Sequence, residues 1–433
     1  MSTEIDTPRV PASAKPPSIL GTLCQLVRRR RVPSFHRRQA LHVGFVGNVP
    51  EPTGGAEVFL AGLIDSLGDK VDAMALARWQ RQVFQYEQQQ MILTYREARV
   101  VERDEAKKLS TFYVYRSGGG LLPFVAYYWE SLAGGIRTAG FFLRERVDIV
   151  HCHLLYQNIH FAYIAAKFLG IPIVVTIHGL IDLDSTNGLI IRRAVLGYIL
   201  QRCDRVIAVS DEIRLRCLEW GINQVETRSC GIDPGYFTPA PVPERGILFI
   251  GNLTRRKGFD LLIDAYKNIR NFTGEPLLLA GKNPENLCFA EDSGVHYLGV
   301  LEPAELREAI RRCKLVVLPS RTEGQPLSVL EAMSCNKLVL VSPVGGLTSL
   351  ILDRENGFLL ERLDAATLSA RAIDILGHYE QRKAEIGTRP RETAKQFDLE
   401  KISQWHHALY AHLVGKRMET TQSEDDKIVN NSG

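Results

Sequence analysis

The amino-acid sequence predicts a mixed α/β fold with more than one domain. Short apolar runs typical of buried strands alternate with segments of helical periodicity, and glycine or proline stands at most of the junctions. The chain has 433 residues, which is enough for two or three domains with sizeable cores. Pro239, Pro241 and Pro243 mark a linker near the middle of the chain.

The composition is that of an ordinary soluble protein, with 45% hydrophobic and 24% charged residues. A net charge of +4 is too small to indicate nucleic acid as a partner. The 8 cysteines include no CxxC pair, and six of them fall in apolar or helical patterns, which favours core thiols and a cytoplasmic location. No apolar run approaches the length of a membrane span, and the N-terminus lacks the charged-then-apolar order of a signal peptide.

Residues 1–40 are predicted to be a basic segment that is disordered or lies on a membrane surface. Residues 19–27 are mostly apolar, and arginines cluster at 28–31 and 37–38. Disorder is the favoured interpretation. The alternative is docking on anionic lipid, where each basic residue near the surface contributes about 1 kcal/mol. Phe35 is the one aromatic residue interleaved with these arginines, so nucleic acid is not expected here.

The first predicted strand–loop–helix unit begins at residues 41–46. Gly54 and Gly55 lie in the loop, and apolar residues recur at helical spacing from residue 60 to residue 67. Two glycines allow the backbone to approach a ligand at a helix N-terminus. They also serve tight turns without any ligand, so this signal is weak by itself. The loop matches neither GxGxxG nor the P-loop pattern.

Residues 78–120 are predicted to form a packed helical layer with a flexible loop at 118–120. The alternative is an acceptor surface, because tyrosines and Trp129 gather around this loop and aromatic rings stack on sugars.

A strand at 148–152 ends in His151-Cys152-His153, and another at 171–177 ends at His178. We expect His151 and His153 to point to opposite faces, and a metal site to need more ligands than these two. His178 either caps a loop or contacts a ligand, because ligands of open α/β sheets bind at the carboxyl ends of the strands. A further strand at 204–209 leads to a helix capped by Ser210.

The second domain begins with a strand at 246–251. Its loop carries three adjacent cations, Arg255, Arg256 and Lys257, ahead of an amphipathic helix. Such a loop suits an anionic ligand, although a solvated basic loop would have the same composition.

Residues 320–333 carry the strongest signal. They follow an apolar strand at 315–318, and Pro326 suits the start of a helix whose N–H groups favour an anion. Glu323 lies in the loop and Glu331 lies about one and a half turns into the helix. Carboxylates accept hydrogen bonds from sugar hydroxyls. A ligand with hydroxyls on both sides of a phosphate, such as a nucleotide sugar, would satisfy all three features.

Glu323 and Glu331 resemble the Glu-x7-Glu signature of the retaining glycosyltransferases of family GT4, which have the GT-B fold. Matches in the expected order support the resemblance over about residues 41–413. They are Gly54-Gly55-Ala56-Glu57, Gly231-Ile232-Asp233, Lys257-Gly258, Gly345-Gly346 and Asn356-Gly357. Asn252 and Ser349 depart from the pattern, since the family usually has arginine and glutamate there.

The resemblance implies two doubly wound, Rossmann-like domains facing across a cleft. An acceptor-side domain is expected over residues 41–243 and a nucleotide-sugar domain over 244–396. A helix at 397–415 would cross back to the first domain, ahead of a disordered tail at 416–433.

The resemblance also implies the residue roles. Lys257, with Arg255 or Arg256 in place of the missing arginine, would neutralise the donor diphosphate, and Glu331 would hold the ribose. The sugar would be held by Glu323, His178 and the amides of Gly345 and Gly346. Gly324 is a further expected donor-binding residue, and the loop of Gly54 and Gly55 would face the donor phosphates and the acceptor. Lys257, Glu323 and His178 are the expected catalytic residues.

The implied reaction is transfer of a sugar from a nucleotide-diphosphate sugar with retained anomeric configuration, without metal and without any cofactor besides the donor. Front-face attack is expected, and double displacement through a carboxylate is the alternative. The expected acceptor is a hydroxyl of a lipid-linked or cell-envelope glycan, reached from the cytoplasmic side. A catalytically silent relative that binds a nucleotide or a partner remains a second interpretation, because of Asn252 and Ser349. A dinucleotide-dependent enzyme is disfavoured by the absence of GxGxxG.

Overall fold

The computed structural model describes residues 41–47, 55–68, 73–86, 89–102, 105–117, 121–153, 157–180, 183 and 190–430. The basic segment expected over residues 1–40 lies outside these ranges. The described chain forms two α/β units, each built around its own sheet.

The first unit contains an eight-stranded sheet in the order β4-β3-β2-β1-β5-β6-β7-β8. Its strands are β1 (His42–Val46), β2 (Ala73–Tyr86), β3 (Gln89–Glu102), β4 (Glu105–Ser117), β5 (Ile149–His153), β6 (Ile173–Ile177), β7 (Arg205–Ala208) and β8 (Val225–Thr227). Its helices are α1 (Gly55–Leu67), α2 (Leu121–Arg144), α3 (Gln157–Leu169), α4 (Ile190–Leu200) and α5 (Asp211–Glu219). The pairs from β2 through β1 to β8 are all parallel. β5 and β6 are buried along their whole length, which explains why they appear as continuous apolar runs in the sequence.

The prediction of a helical layer over residues 78–120 is wrong for residues 78–86, 89–102 and 105–117. β2, β3 and β4 form a long antiparallel meander there. Its sequence signal is the alternation of apolar or aromatic residues with polar ones, as in Leu93-Thr94-Tyr95-Arg96, which is typical of strands. Residues 118–120 lie outside the described residues, and Trp129 lies on α2.

The second unit contains a six-stranded parallel sheet in the order β11-β10-β9-β12-β13-β14. Its strands are β9 (Ile247–Ile250), β10 (Leu277–Ala280), β11 (Val295–Gly299), β12 (Leu315–Leu318), β13 (Leu338–Val341) and β14 (Phe358–Leu359). Its helices are α6 (Phe259–Thr273), α7 (Pro303–Arg312), α8 (Leu327–Ser334), α9 (Leu347–Leu350), α10 (Ala365–Gly377), α11 (Tyr379–Ile386) and α12 (Arg389–Ala394). Short 3-10 turns precede α6 and follow α12.

The chain passes between the two units twice, and the two passages are hydrogen-bonded to each other. The Ile232 N–H donates to Phe397 O at 2.9 Å, and the Leu399 N–H donates to Ile232 O at 2.8 Å. The last helix, α13 (Leu399–Asn430), then packs on the first unit, where Ser66 Oγ donates to Ser403 Oγ at 2.7 Å.

The expected disordered tail at 416–433 is wrong for residues 416–430, which continue α13. No glycine or proline interrupts residues 416–430, so nothing in the local sequence ends the helix. Residues 431–433 lie outside the described ranges. Among the described helices, none combines the length and the apolar character needed to cross a bilayer.

Candidate functional site

Two loops at the carboxyl edge of the second sheet carry the predicted charged residues. One follows β9 and bears Lys257, and the other follows β12 and bears Glu323. β9 and β12 are neighbouring parallel strands, so their carboxyl ends lie side by side. Residues more than sixty positions apart in sequence are thereby brought into contact.

Lys257 and Glu323 form a close, largely buried ion pair. Lys257 Nζ lies 2.6 Å from Glu323 Oε1 and 2.9 Å from Oε2. Ser320 Oγ donates a further hydrogen bond to Oε1 at 2.5 Å. The two side chains are 16% and 5% exposed, so each charge depends on the other in a poorly hydrated setting.

The two arginines expected to assist Lys257 differ in position. Arg256 Nη1 approaches Thr322 O at 3.5 Å, which places its side chain beside the Glu323 loop. Arg255 is 83% exposed, and its Nε lies 3.8 Å from Asp260. Arg256 is therefore the arginine nearer to the Lys257–Glu323 pair.

Glu331 is a buried carboxylate in the middle of α8. Burial raises its pKa to about 7. None of the described residues donates a hydrogen bond to its carboxylate, although most buried polar groups in proteins are paired. The carboxylate is therefore available to accept hydrogen bonds from a ligand.

Gly324, Gly345 and Gly346 allow close contact between neighbouring loops. Gly345 has a φ of 56°, and a Cβ there would lie 1.9 Å from Glu323 O. The Gly346 N–H donates to Gly324 O at 2.7 Å, so its expected donation to a sugar would require this bond to break. Ser349, in the place of the family's glutamate, donates to Gly346 O at 3.2 Å.

His178 is the point at which the first unit meets these loops. A Cβ on Gly324 would lie 1.8 Å from His178 O, so the Glu323 loop touches the carboxyl end of β6. The His178 ring faces inward: Nε2 lies 2.9 Å from His153 Nδ1, and Nδ1 lies 3.9 Å from Cys230 Sγ. Burial, followed by the charge of His406, lowers the pKa of His178 to about 3.

The expectation that His151 and His153 point to opposite faces is wrong. Their ring centroids lie 4.1 Å apart, because the side-chain period of a strand is two and residues i and i+2 share a face. His151 bonds Thr176 Oγ1 at 2.8 Å and Tyr410 OH at 2.6 Å, which ties β5 to α13. No group of three or more histidine, cysteine or acidic side chains in the described part of the chain is arranged to hold a metal.

The first glycine loop contributes little to the described geometry. Gly54 lies outside the described residues. Gly55 begins α1, and a Cβ there would meet none of the described atoms within 4 Å.

Two features of the site were not predicted from the sequence. Arg321 forms a two-pronged ion pair with Asp260 across the two loops. His153 and His406 complete a buried imidazole cluster with His151 and His178. The His151-x-His153 spacing was the available signal for this cluster, whereas the partners of Arg321 depend on the folded loops.

Family models match both halves of the chain. The model described as Glycosyltransferase Family 4 matches residues 53–236, and the model described as Glycosyl transferases group 1 matches residues 244–378. The two regions correspond to the two α/β units and together span most of the chain.

Of three curated relatives, two are transferases by name and one is named a synthase. The chain is 29% identical over 278 residues to an uncharacterised glycosyltransferase of Methanocaldococcus jannaschii, covering 62% of this chain and 76% of the relative. It is 26% identical over 296 residues to N-acetyl-alpha-D-glucosaminyl L-malate synthase of Bacillus anthracis, covering 63% and 76%. It is 30% identical over 205 residues to N,N'-diacetylbacillosaminyl-diphospho-undecaprenol alpha-1,3-N-acetylgalactosaminyltransferase of Campylobacter jejuni, covering 43% and 54%.

Solved structures share the architecture. HepE of Anabaena, crystallised with UDP, superposes with a TM-score of 0.63 at 17% identity, covering 86% of this chain and 100% of HepE. Sucrose-phosphate synthase of Thermosynechococcus elongatus superposes with a TM-score of 0.65 at 19% identity, covering 87% and 100%. The chain therefore belongs to the family 4 glycosyltransferases and has the GT-B fold.

Proposed function

We propose that this glycosyltransferase moves a sugar from a nucleotide-diphosphate donor to a hydroxyl acceptor with retention of anomeric configuration. The observation that carries the proposal is the Lys257–Glu323 pair, 2.6 Å apart and nearly closed to solvent, at the carboxyl edge of the second sheet. Lys257 supplies a cation that can bind a phosphate, and Glu323 beside it supplies a carboxylate that can accept hydrogen bonds from sugar hydroxyls. The open-sheet rule locates ligands at this edge.

Stabilisation of the leaving diphosphate is the main catalytic task. Cleavage of the anomeric C–O bond transfers an electron pair to the diphosphate oxygen. Lys257 and Arg256 face that developing charge, together with the N-terminal end of α8. Preorganised charges of this kind usually supply the largest catalytic term. This charge set supports a reaction that needs neither metal nor any cofactor besides the donor.

The carboxylates orient the donor on both sides of the diphosphate. Glu331 accepts hydrogen bonds from the ribose hydroxyls, and Glu323, held by Ser320 and Lys257, accepts them from the sugar. In front-face attack the acceptor oxygen bonds to the anomeric carbon on the side that the diphosphate leaves. The acceptor proton passes to the departing phosphate oxygen. Retention follows from this geometry.

The test combines a transfer assay with substitutions. Anomeric configuration is read by proton NMR of the product formed from UDP-glucose, UDP-N-acetylglucosamine or GDP-mannose, and each reaction is repeated with EDTA. Lys257→Ala should lower kcat/KM by about 100-fold or more, because one preorganised charge is lost. The exposed Lys395→Ala is the control and should leave kcat/KM unchanged. Inversion, loss of activity in EDTA, or an unimpaired Lys257→Ala variant would each refute the corresponding part of the proposal.

For the acceptor we propose a hydroxyl of a lipid-linked or cell-envelope glycan. The name of the Campylobacter relative describes a diphospho-undecaprenol acceptor, which supports this class.

We further propose that the basic segment at residues 1–40 holds the enzyme at the cytoplasmic membrane surface through its clustered arginines. Sedimentation with phosphatidylglycerol vesicles, compared with phosphatidylcholine vesicles and with a chain lacking residues 1–40, tests this. Equal sedimentation in all three would disprove it.

A further inference from the structure

We propose that Arg321 is a positioning residue for sugar transfer, because it fastens the loop that carries Glu323 to the segment that carries Lys257. The inference rests on the proposed roles of Lys257 and Glu323. Arg321 itself touches neither of their charged groups in the described contacts.

The guanidinium of Arg321 forms a bidentate pair with a carboxylate across the two loops. Arg321 Nη1 lies 2.7 Å from Asp260 Oδ1, and Nη2 lies 2.8 Å from Asp260 Oδ2. Asp260 stands in the first turn of α6, where a negative charge is favourable to the helix. The hydrogen bonds from Arg321 lower the pKa of Asp260. Two parallel N–H···O bonds fix direction as well as distance.

Arg321 also holds the backbone on the other side of Lys257. Its Nη1 donates to Arg255 O, and its main-chain N–H donates to Arg256 O at 2.8 Å. Arg321 is thus attached just before Lys257 in sequence, at Arg255 and Arg256, and just after it, at Asp260. Glu323 follows Arg321 by two residues. The contacts of Arg321 therefore hold the segment that carries Lys257 next to the loop that carries Glu323.

The junction is tightened by the absence of a side chain at Gly258. A Cβ there would lie 1.8 Å from Pro319 O, and Gly258 has a φ of 71°. The Lys257 segment and the start of the Glu323 loop are therefore in direct backbone contact. Together with the contacts of Arg321, this backbone contact restricts the movement of Lys257 Nζ relative to Glu323.

The Arg321–Asp260 ion pair is better explained by a role in positioning Lys257 and Glu323 than by a contribution to the stability of the fold. The Arg321 and Asp260 side chains are 31% and 37% exposed, and ion pairs at such exposure contribute little to the stability of the fold. Misplacement of catalytic groups by about 1 Å, in contrast, can lower rates by about 100-fold. Lysine cannot replace arginine here, because a single ammonium lacks the two-pronged fork.

The experiment compares Arg321→Ala, Arg321→Lys, Asp260→Asn and the Arg321→Ala/Asp260→Asn double variant in the full chain. Arg382→Ala is the matched control. Arg382 Nη2 lies 3.1 Å from both Asp374 oxygens in the same unit, between α10 and α11. Donor kinetics use whichever of UDP-glucose, UDP-N-acetylglucosamine and GDP-mannose the wild type turns over. Dissociation constants are measured with UDP and GDP, and melting temperatures are recorded.

We expect Arg321→Ala to lower donor kcat/KM about tenfold or more, with the acceptor KM unchanged and a melting temperature close to that of Arg382→Ala. Arg321→Lys should recover only part of the loss, and the double variant should be no worse than Arg321→Ala, because the two side chains act as one unit. Donor kcat/KM within twofold of the control, or complete recovery by lysine, would overturn the inference. An impaired Lys257→Ala beside an intact Arg321→Ala would refute this inference alone. An intact Lys257→Ala would refute the proposed function and this inference with it.

Discussion

Replacing Glu331 by glutamine should stabilise the unliganded chain at neutral and alkaline pH while weakening nucleotide binding. Glu331 is buried in α8, and none of the described residues donates a hydrogen bond to its carboxylate. An ionised carboxylate in such a place destabilises the fold. A ligand that supplies hydroxyl donors would relieve this cost.

The magnitude follows from the pKa. Burial raises the pKa of Glu331 from 4.5 to about 7. Since the folded value lies above the unfolded one, the associated stability is fully present below about pH 4.5 and is lost as pH rises through about 7. At about 1.36 kcal/mol per pKa unit, the ionised side chain lowers the free energy of unfolding by about 3 kcal/mol at pH 8. Glutamine does not titrate and should abolish this dependence.

The assay is thermal unfolding of wild type and Glu331→Gln at pH 5 and pH 8. The variant should melt several degrees above wild type at pH 8 and within a degree or two of it at pH 5, since about 1 kcal/mol shifts the melting temperature by roughly 2–4 °C. Its affinity for UDP or GDP should fall about tenfold, because hydrogen bonds to a charged acceptor are the stronger ones.

Glu275 provides the contrasting variant. It is also a buried glutamate, but it accepts hydrogen bonds from the Gly246 N–H at 2.7 Å and from Lys314 Nζ at 2.6 Å. Glu275→Gln should therefore destabilise the chain at pH 8 rather than stabilise it, with nucleotide affinity unchanged. A Glu331→Gln variant that is less stable than wild type at pH 8, or that binds nucleotide equally well, would refute the reasoning.

Three further predictions concern Gly324 at the contact between the units, and the Tyr410–His151 bond and the buried imidazoles between α13 and the first unit. Gly324→Ala should abolish transfer, because the alanine Cβ would lie 1.8 Å from His178 O and force the two units apart. A variant with wild-type kcat would contradict this, and small-angle scattering measures the separation of the units. Tyr410→Phe should lower the free energy of unfolding by about 1–3 kcal/mol, since it leaves the buried His151 Nδ1 without its 2.6 Å partner. A stability equal to that of wild type in urea would argue against this bond. Because burial lowers the pKa of His178 to about 3 and of His406 to about 4, stability should be lost as pH falls from about 6.5 toward these values. His406→Leu should make melting less sensitive to acid over this range, and an unchanged pH profile would count against the buried imidazole.

The meander of β2, β3 and β4 was not predicted, although an alternation typical of strands is present in its sequence. That alternation is mixed with other periodicities, and tertiary context then decides between a helix and strands. The sequence also could not predict the continuation of α13 to Asn430, since a polar composition alone is compatible with either a helix or a disordered tail. The short buried strands and their helices were predicted correctly, as with β6 before His178 and α5 after Ser210. The Ser210 Oγ accepts a hydrogen bond from the Ile213 N–H at 3.5 Å and so caps α5, as expected. Local periodicity and capping chemistry act within a few residues, so they can be identified without a fold.

The sequence by itself determined the α/β class, the order of the loops and the residues Lys257, Glu323 and Glu331 that carry the charge. Those properties depend on residue type and on spacing along the chain. The tertiary structure alone decided that Lys257 meets Glu323 at 2.6 Å, that Arg321 pairs with Asp260, and that His178 faces inward toward His153. These contacts join residues that are distant in sequence, and only the register of neighbouring strands and the packing of the two units fix such distances.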